Sequence, residues 1–448
     1  MPRKQPAPQT LDVPTLRRAL REGDPKARRK AAEDLAAARD PAALDDLDAA
    51  LHDRDEGLRS RAASALAALG TDEALDALLR RLPIERRPKT LEALIGGVGR
   101  FPTARAADAL GDLLRRDGDK VPVGWALRGA LGAMGPHGLR VAAACLDAPA
   151  AVAVHAAAAL GKTRDPAAVA PLVQRLARST DGGLCETLVA ALGDIAAPAA
   201  TAALTDVLVR DLHGLGMKAA LALAKHGVAG VHAVLPLLAA PDGSPSRAAY
   251  ALSQSGAPVE DPTGLVPLLL RRDAMVWARD ALERASGGLD AACAACDALA
   301  AGLDDADADR VYAAAWSLAW IASARPAAIT DHALARLLAA ADTPQHDARA
   351  RVADALARVH PRGIAQTVAA LRDPSLGVRH TAVMAIAQYP VGVPEAAAVL
   401  AAMLDDEGLA IWATESLRRI GPEAHAALRA AAAGDGEGAR RAQRLLGP

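Results

Sequence analysis

A short phrase recurs about every thirty residues along this chain. A chain that repeats itself at that period stacks like units instead of wrapping one core. Ala62-Ala63-Ser64-Ala65-Leu66-Ala67-Ala68-Leu69-Gly70 returns as Leu127-Arg128-Gly129-Ala130-Leu131-Gly132-Ala133-Met134-Gly135, and in part as Ala248-Ala249-Tyr250-Ala251-Leu252. Taking the fifth residue of each copy as an anchor gives Leu35, Leu66, Ile95, Leu131, Leu160, Leu192, Leu223, Leu252, Leu282, Leu318, Leu356, Ile386 and Leu417. These are thirteen repeats, with a shorter fourteenth stretch running to Pro448.

Each repeat reads as two helices. In the second repeat, residues 41–52 are expected to form the first helix and residues 56–69 the second, with Asp53-Arg54-Asp55 between them. Four residues before the anchor stands Ala, Leu or Val in all thirteen repeats, which makes one apolar i, i+4 stripe on the second helix. The residue just before the anchor is alanine in nine of thirteen, small enough to admit the next helix closely. Gly70, Gly99, Gly135, Gly227, Gly256 and Gly421 fall four past their anchors, where glycine can take the left-handed conformation that ends a helix. In Gly135-Pro136 and Gly421-Pro422 proline then keeps the two helices from fusing.

Composition agrees. The chain is 52% apolar, mostly through alanine, the best helix former, and it has only five Trp, three Tyr and one Phe. A net charge of −1 lacks the footprint of a dedicated DNA coater. Four cysteines are too few for a disulfide-stapled scaffold of this size. Residues 1–10 have no apolar h-region and are expected to form a disordered tail, and residues 11–448 one continuous solenoid. No uninterrupted apolar run is long enough to span a membrane, so the expectation is a cytoplasmic protein.

The phrases Asp24-Pro25, Arg28, Ala31-Ala32, Leu35 and Asp55, Arg59, Ala62-Ala63, Leu66 resemble HEAT repeats, in the short form of the phycobilin lyases. The resemblance covers residues 11–448. It implies an all-α, armadillo-like, right-handed α-solenoid of about thirteen to fourteen helix pairs. It also implies that the recurrent Asp and Arg, here Asp24, Arg28, Asp55, Arg59 and Arg379, tie the loops of successive repeats together.

Motifs of chemistry fail on inspection. Gly161-Lys162-Thr163 ends like a phosphate loop, but Ala156 replaces its first glycine and no strand precedes it. The run Asp305 to Asp309 begins like a calcium loop, yet Arg310 holds the turn-glycine position and Trp316 the closing glutamate position. Asp309 is expected instead to cap the following helix. Cys293 and Cys296 have zinc spacing without a second pair, and no histidine is followed by glutamate as in iron-binding HEAT-repeat hydroxylases. No catalytic set, metal or cofactor is expected.

In a HEAT solenoid the second helices line the inner, concave face. At about 100° per residue, positions −5, −2 and +2 from the anchor should face that groove. They are polar in Lys30, Glu33, Arg61, Ser64, His155, Lys162, Lys218 and Lys225. They also collect Tyr250, Trp277, Trp316, Trp320 and Trp412, with Tyr312 at the edge and Arg247, Arg284, Arg351 and Arg358 flanking. Trp and Arg are the residues most enriched in binding hot spots. The competing reading is that the rings fill gaps between helices. The longest anchor spacings, 36 from Leu282 to Leu318 and 38 from Leu318 to Leu356, bracket the aromatic helix. The extra residues are open to three readings: a local change of curvature, a loop over the groove, or harmless insertions.

The expected function is therefore a non-enzymatic scaffold that holds a protein or peptide in the groove, Asp280, Asp354 and Glu415 beside the arginines suiting a peptide over a polyanion. Nucleic-acid binding is the second reading, since aromatics interleaved with arginine stack bases. A phycobilin-lyase-like enzyme, implied by resemblance alone, is the third.

Overall fold

The computed structural model describes residues 12–241, 244–359, 362–388 and 392–447. The tail expected over residues 1–10 lies outside them. The described residues form 28 α-helices, eleven short 3-10 helices and no strand. The protein is an all-α solenoid of helix pairs. It divides into two compact halves, residues 1–233 and 234–448. Among the described residues no helix is long and apolar enough to cross a membrane.

The second helices of the repeats are labelled α1 to α14. In the N-terminal half they are α1 (Pro25–Ala38), α2 (Glu56–Leu69), α3 (Pro88–Val98), α4 (Val121–Ala133), α5 (Ala150–Thr163), α6 (Gly182–Gly193) and α7 (Gly216–Ala224). In the C-terminal half they are α8 (Ser244–Gln254), α9 (Met275–Arg284), α10 (Ala308–Ala324), α11 (His346–Arg358), α12 (Leu376–Ala387), α13 (Ala410–Ile420) and α14 (Glu437–Leu446). Within each half consecutive members pack side by side, and the seam between α9 and α10 is the most open. The expected span of α2 matches the structure, whereas the first helix of that repeat is a 3-10 turn, Pro41–Ala43, followed by Leu44–Ala50.

The anchors explain the stacking. None of the thirteen is more than 3% exposed. Each buried leucine removes enough apolar surface to contribute about 2 kcal/mol, and no single repeat can enclose its own anchor. At Ala130, Ala191 and Ala222 the alanine before the anchor faces glycine on the preceding helix. A Cβ built on Gly161 of α5 would stand 2.8 Å from the Ala191 Cα of α6, and one on Gly193 would stand 2.7 Å from the Ala222 Cβ of α7. Gly161→Ala and Gly193→Ala should therefore each destabilise by about 1–3 kcal/mol through overpacking, although alanine is the better helix former. Gly129→Ala, mid-helix on α4 with nothing within 4 Å, should instead stabilise by about 0.5–1 kcal/mol. Urea melts of the three variants check this opposition of sign.

The recurrent Asp and Arg are structural. Asp24 caps α1 by accepting from the Ala27 N–H at 2.8 Å, and Asp55 caps α2 by accepting from Gly57 at 2.8 Å. Seven residues before the anchor, Arg28 donates to the Leu20 carbonyl at 2.9 Å and to Asp53 of the next loop at 2.7 Å. Arg59 donates to the Asp53 carbonyl at 2.9 Å and to Glu85 at 3.0 Å. Arg349 bonds the Thr343 carbonyl and Asp373, each at 2.8 Å, and Arg379 bonds the Asp373 carbonyl at 2.8 Å.

Three local expectations are corrected. Gly70, Gly135, Gly227 and Gly421 have positive φ, but Gly99 is right-handed (φ −61°) and Gly256 is also not left-handed. Gly99 is small for a different reason, since its Cβ would stand 2.8 Å from that of Ala130. Asp307, not Asp309, caps α10, accepting from the Asp309 N–H at 3.0 Å. Asp309 pairs with Arg272 at 2.7 Å. The extra residues around α10 enter the helices Gly288–Ala294, Cys296–Ala301 and Asp331–Ala339, with short 3-10 turns and α10 itself, which at 17 residues is the longest of the second helices. They do not form a long loop.

Candidate partner-binding face

Side-by-side packing places equivalent positions of successive second helices next to each other. Arg61, at −5, donates to Glu33, at −2 of the repeat before, at 2.5 Å. Trp277 and Tyr250 occupy the same pair of positions, with ring centroids 4.8 Å apart in an edge-to-face arrangement. Lys225 reaches Asp194, both at +2, at 2.9 Å. Position −5 is thus turned toward the neighbouring helix. At −6 Trp125 is 62% and Ile411 71% exposed, although Ala350 at the same position is buried. The lateral neighbour claims −5, whereas +2, also expected on the groove, is exposed in nine of the thirteen repeats. His155, expected on the groove, is buried. It lies against Gly124 and accepts the Arg128 Nε–H on Nδ1 at 2.8 Å. Burial, then the neighbouring Arg128 charge, lowers its pKa and keeps the ring neutral.

In the C-terminal half the open seam between α9 and α10 is bridged by large rings. Tyr312, Trp316 and Trp320 stand one turn apart on α10 and are all half-buried. The Arg272 guanidinium lies 4.3 Å from the Tyr312 centroid, and Arg279 lies 5.2 Å from that of Trp316. The Trp320 Nε1–H donates to Glu283 at 2.8 Å. On their other side the rings open into a pocket of about 260 Å³ between α10 and α11, lined among others by Arg279, Trp316, Trp320, Arg351, Asp354 and Arg358. Packing and exposure both apply: the rings fill the wide seam on one edge and wall a cavity on the other.

The structure thus brings Trp316, Trp320, Arg351 and Arg358 to one pocket, with Tyr312 one turn away and 5.8 Å from the Arg351 guanidinium. Tyr250 and Trp277 form their pair on α8 and α9, and Arg247 is half-buried on α8. Arg284 does not join the pocket; it donates to the Ser253 carbonyl at the end of α8. Trp412 is also separate. It lines a groove of about 690 Å³ with Ile411, Arg441 and Leu445, between α13 and α14.

 The same groove carries Glu407, Glu415 and Arg444, so it mixes charge signs as the pocket between α10 and α11 does.

Sequence reasoning missed two groups. Arg279, at −3, and Arg272, in the loop before α9, fall outside the three wheel positions, and only the wide seam lets them reach the rings. Trp125 on α4, under the Arg128 guanidinium at 4.4 Å, sits at −6. A cleft of about 970 Å³ between the outer helices Asp72–Arg81 and Ala104–Asp117 has its charges already matched, Arg105 to Asp76 at 2.5 Å and Arg140 to Asp108 at 2.6 Å. Cys296 is buried and Cys293 half-buried, on two successive short helices rather than one, and burial raises both thiol pKa values. Among the described residues no three His, Cys, Asp or Glu side chains are grouped to hold a metal ion.

The model of HEAT repeats matches residues 13–94 and 334–418, and that of the PBS lyase HEAT-like repeat matches residues 152–178. No curated protein matches the sequence. Among solved structures the chain is similar to Kap121p bound to Ste12p, with 15% identity over 97% of this chain and 54% of that one, at a TM-score of 0.53. It is similar also to the karyopherin Kap121p bound to the extreme C-terminus of the protein phosphatase Cdc14p, with 14% identity over 99% of this chain and 55% of that one, at a TM-score of 0.52. The chain spans about half the length of those chains, and at such identity the likeness is one of fold. The complex of CpcE and CpcF of phycocyanin lyase from Nostoc sp. PCC7120 aligns at 25% identity over 56% of this chain and 96% of that one, with a TM-score of only 0.30.

Proposed function

Taking as premise that this chain is a HEAT-repeat protein, we propose that it is a non-enzymatic scaffold that holds a protein or peptide segment on the second-helix face of its C-terminal half. The observation that carries the reading is the pocket walled by Trp316 and Trp320 and ringed by Arg279, Arg351 and Arg358. Rigid aromatic walls beside arginine are what binding hot spots are made of. The fold likeness to Kap121p, seen in complexes with Ste12p and with the Cdc14p C-terminus, supports a polypeptide as the occupant.

Nucleic acid is the second reading, favoured by the stacked Arg–aromatic pairs. Against it, the arginines share the face with Asp280, Glu283 and Asp354, which would repel a continuous line of phosphates. The partner is to be recovered by affinity purification from the native organism, and its affinity measured from 50 to 200 mM salt. A peptide held mainly by aromatic contacts should weaken less than about tenfold, whereas a nucleic acid contacting six or more phosphates would weaken by about a thousandfold or more. The steep result would transfer the assignment to nucleic acid.

A further inference from the structure

The three arginines of the pocket are not equivalent. Arg279 donates to Asp280 at 2.9 Å and stands 3.8 Å from Glu283. Arg358 donates to Asp354 at 2.9 Å and to the Ser323 hydroxyl at 3.0 Å. Arg351 has only Asp354 near it, at 3.9 Å, and that carboxylate is already engaged by Arg358. Its Nε is buried without a hydrogen-bond partner, and one flank of the guanidinium faces the Tyr312 ring. A buried donor left unmade is costly, and a guanidinium fork matches two oxygens of one oxyanion.

From this we infer that the pocket reads a single oxyanion, a carboxylate or phosphate group carried on a polypeptide side chain, with Arg351 as its ligand and Trp316 and Trp320 packing the stem of that side chain. At about 260 Å³ the pocket has room for one such side chain. The carboxylates around it account for why one anion is accepted and a run of them is not. The inference rests on the partner-binding reading above and adds the chemistry of the group recognised.

The test is selection of a random displayed peptide library on the full chain, counter-selected against the Trp316→Ala, Trp320→Ala double variant. Peptides that depend on the pocket are resynthesised with Glu, phosphoserine or Gln at the enriched acidic position. On the wild type, the better of Glu and phosphoserine should bind roughly ten- to a hundredfold tighter than Gln, and which of the two is better identifies the source of the oxyanion. On Arg351→Gln that preference should collapse to less than about threefold. Should Arg351→Gln lose its melting transition, Arg351→Lys keeps charge and stem without the fork, and should retain only part of the preference. Pocket-dependent peptides without an acidic residue, or an unchanged preference in the Arg351 variant, would overturn the inference and leave the partner-binding reading standing. Absence of any pocket-dependent peptide would overturn both.

Discussion

Arg59→Ala is expected to destabilise the N-terminal half by about 2–4 kcal/mol, because it removes one of the two guanidinium partners of the buried Glu85 carboxylate and the donor to the Asp53 and Arg54 carbonyls. Arg59 is 7% and Glu85 3% exposed. The pair joins α2 to the loop before α3, with Arg81 adding a second contact to Glu85 at 2.7 Å. The same bond makes stability depend on pH. Burial alone would raise the Glu85 pKa, but the Arg87 N–H, the Arg81 and Arg59 guanidinium groups and the Arg86 N–H together lower it from 4.5 to about 2. A folded-state pKa below the unfolded one means that the carboxylate stabilises fully above about pH 4.5 and that this is lost as pH falls toward 2. The loss amounts to about 3 kcal/mol. Urea melts at pH 7 and pH 3 should show a steep acid loss in the wild type. Arg115→Ala, which breaks the solvent-exposed pair with Asp112, should change stability by less than about 0.5 kcal/mol at pH 7. An Arg59 variant as stable as the Arg115 one would remove the loop staple from the account.

The Trp316→Ala, Trp320→Ala variant should lose about 2–4 kcal/mol of partner affinity, roughly thirtyfold to a thousandfold in Kd. Its folding stability should fall by less than the about 3–5 kcal/mol per ring that a fully enclosed aromatic would cost, because both rings are only half-buried and face the pocket on one side. Trp277→Ala is the internal comparison. That ring is held against Tyr250 on the neighbouring helix and does not line the pocket, so its loss should act on stability more than on binding. Thermal melts and binding titrations of the variants separate the two effects. A double variant that melts as though two core residues had gone, with unchanged affinity, would make the rings packing groups only.

The repeat and its core were legible because the anchors obey one local rule thirteen times over, and burial at every anchor follows from it. The Arg and Asp staples were legible through the resemblance to HEAT repeats. Arg59 and Arg379 bond the carbonyl six residues back in the preceding loop, as Arg349, not singled out from the sequence, also does, while Arg28 reaches Leu20 and Asp53. The face was legible only in part. A helical wheel treats a helix as isolated, whereas here each second helix has lateral neighbours, which turn −5 inward, as at Arg61 and Trp277, and leave +2 to solvent in nine of the thirteen repeats. Arg279 was invisible because its role depends on the width of the seam between α9 and α10, a property of two repeats together. The separation of Trp412 from Trp316 has a similar origin: the two share a face by pattern, but α11 and α12 stand between their helices.

Site-directed photo-crosslinking tests the central claim most directly. A photoreactive side chain at Ser323, which is exposed and lines the pocket, is compared with one at Ala298, exposed on the outer helix Cys296–Ala301. Both are irradiated with the co-purifying partner in place. The account predicts a crosslinked polypeptide from Ser323, lost in the Trp316→Ala, Trp320→Ala background, and none from Ala298. Crosslinking that is equal at the two positions, or that persists from Ser323 without the two rings, would contradict it.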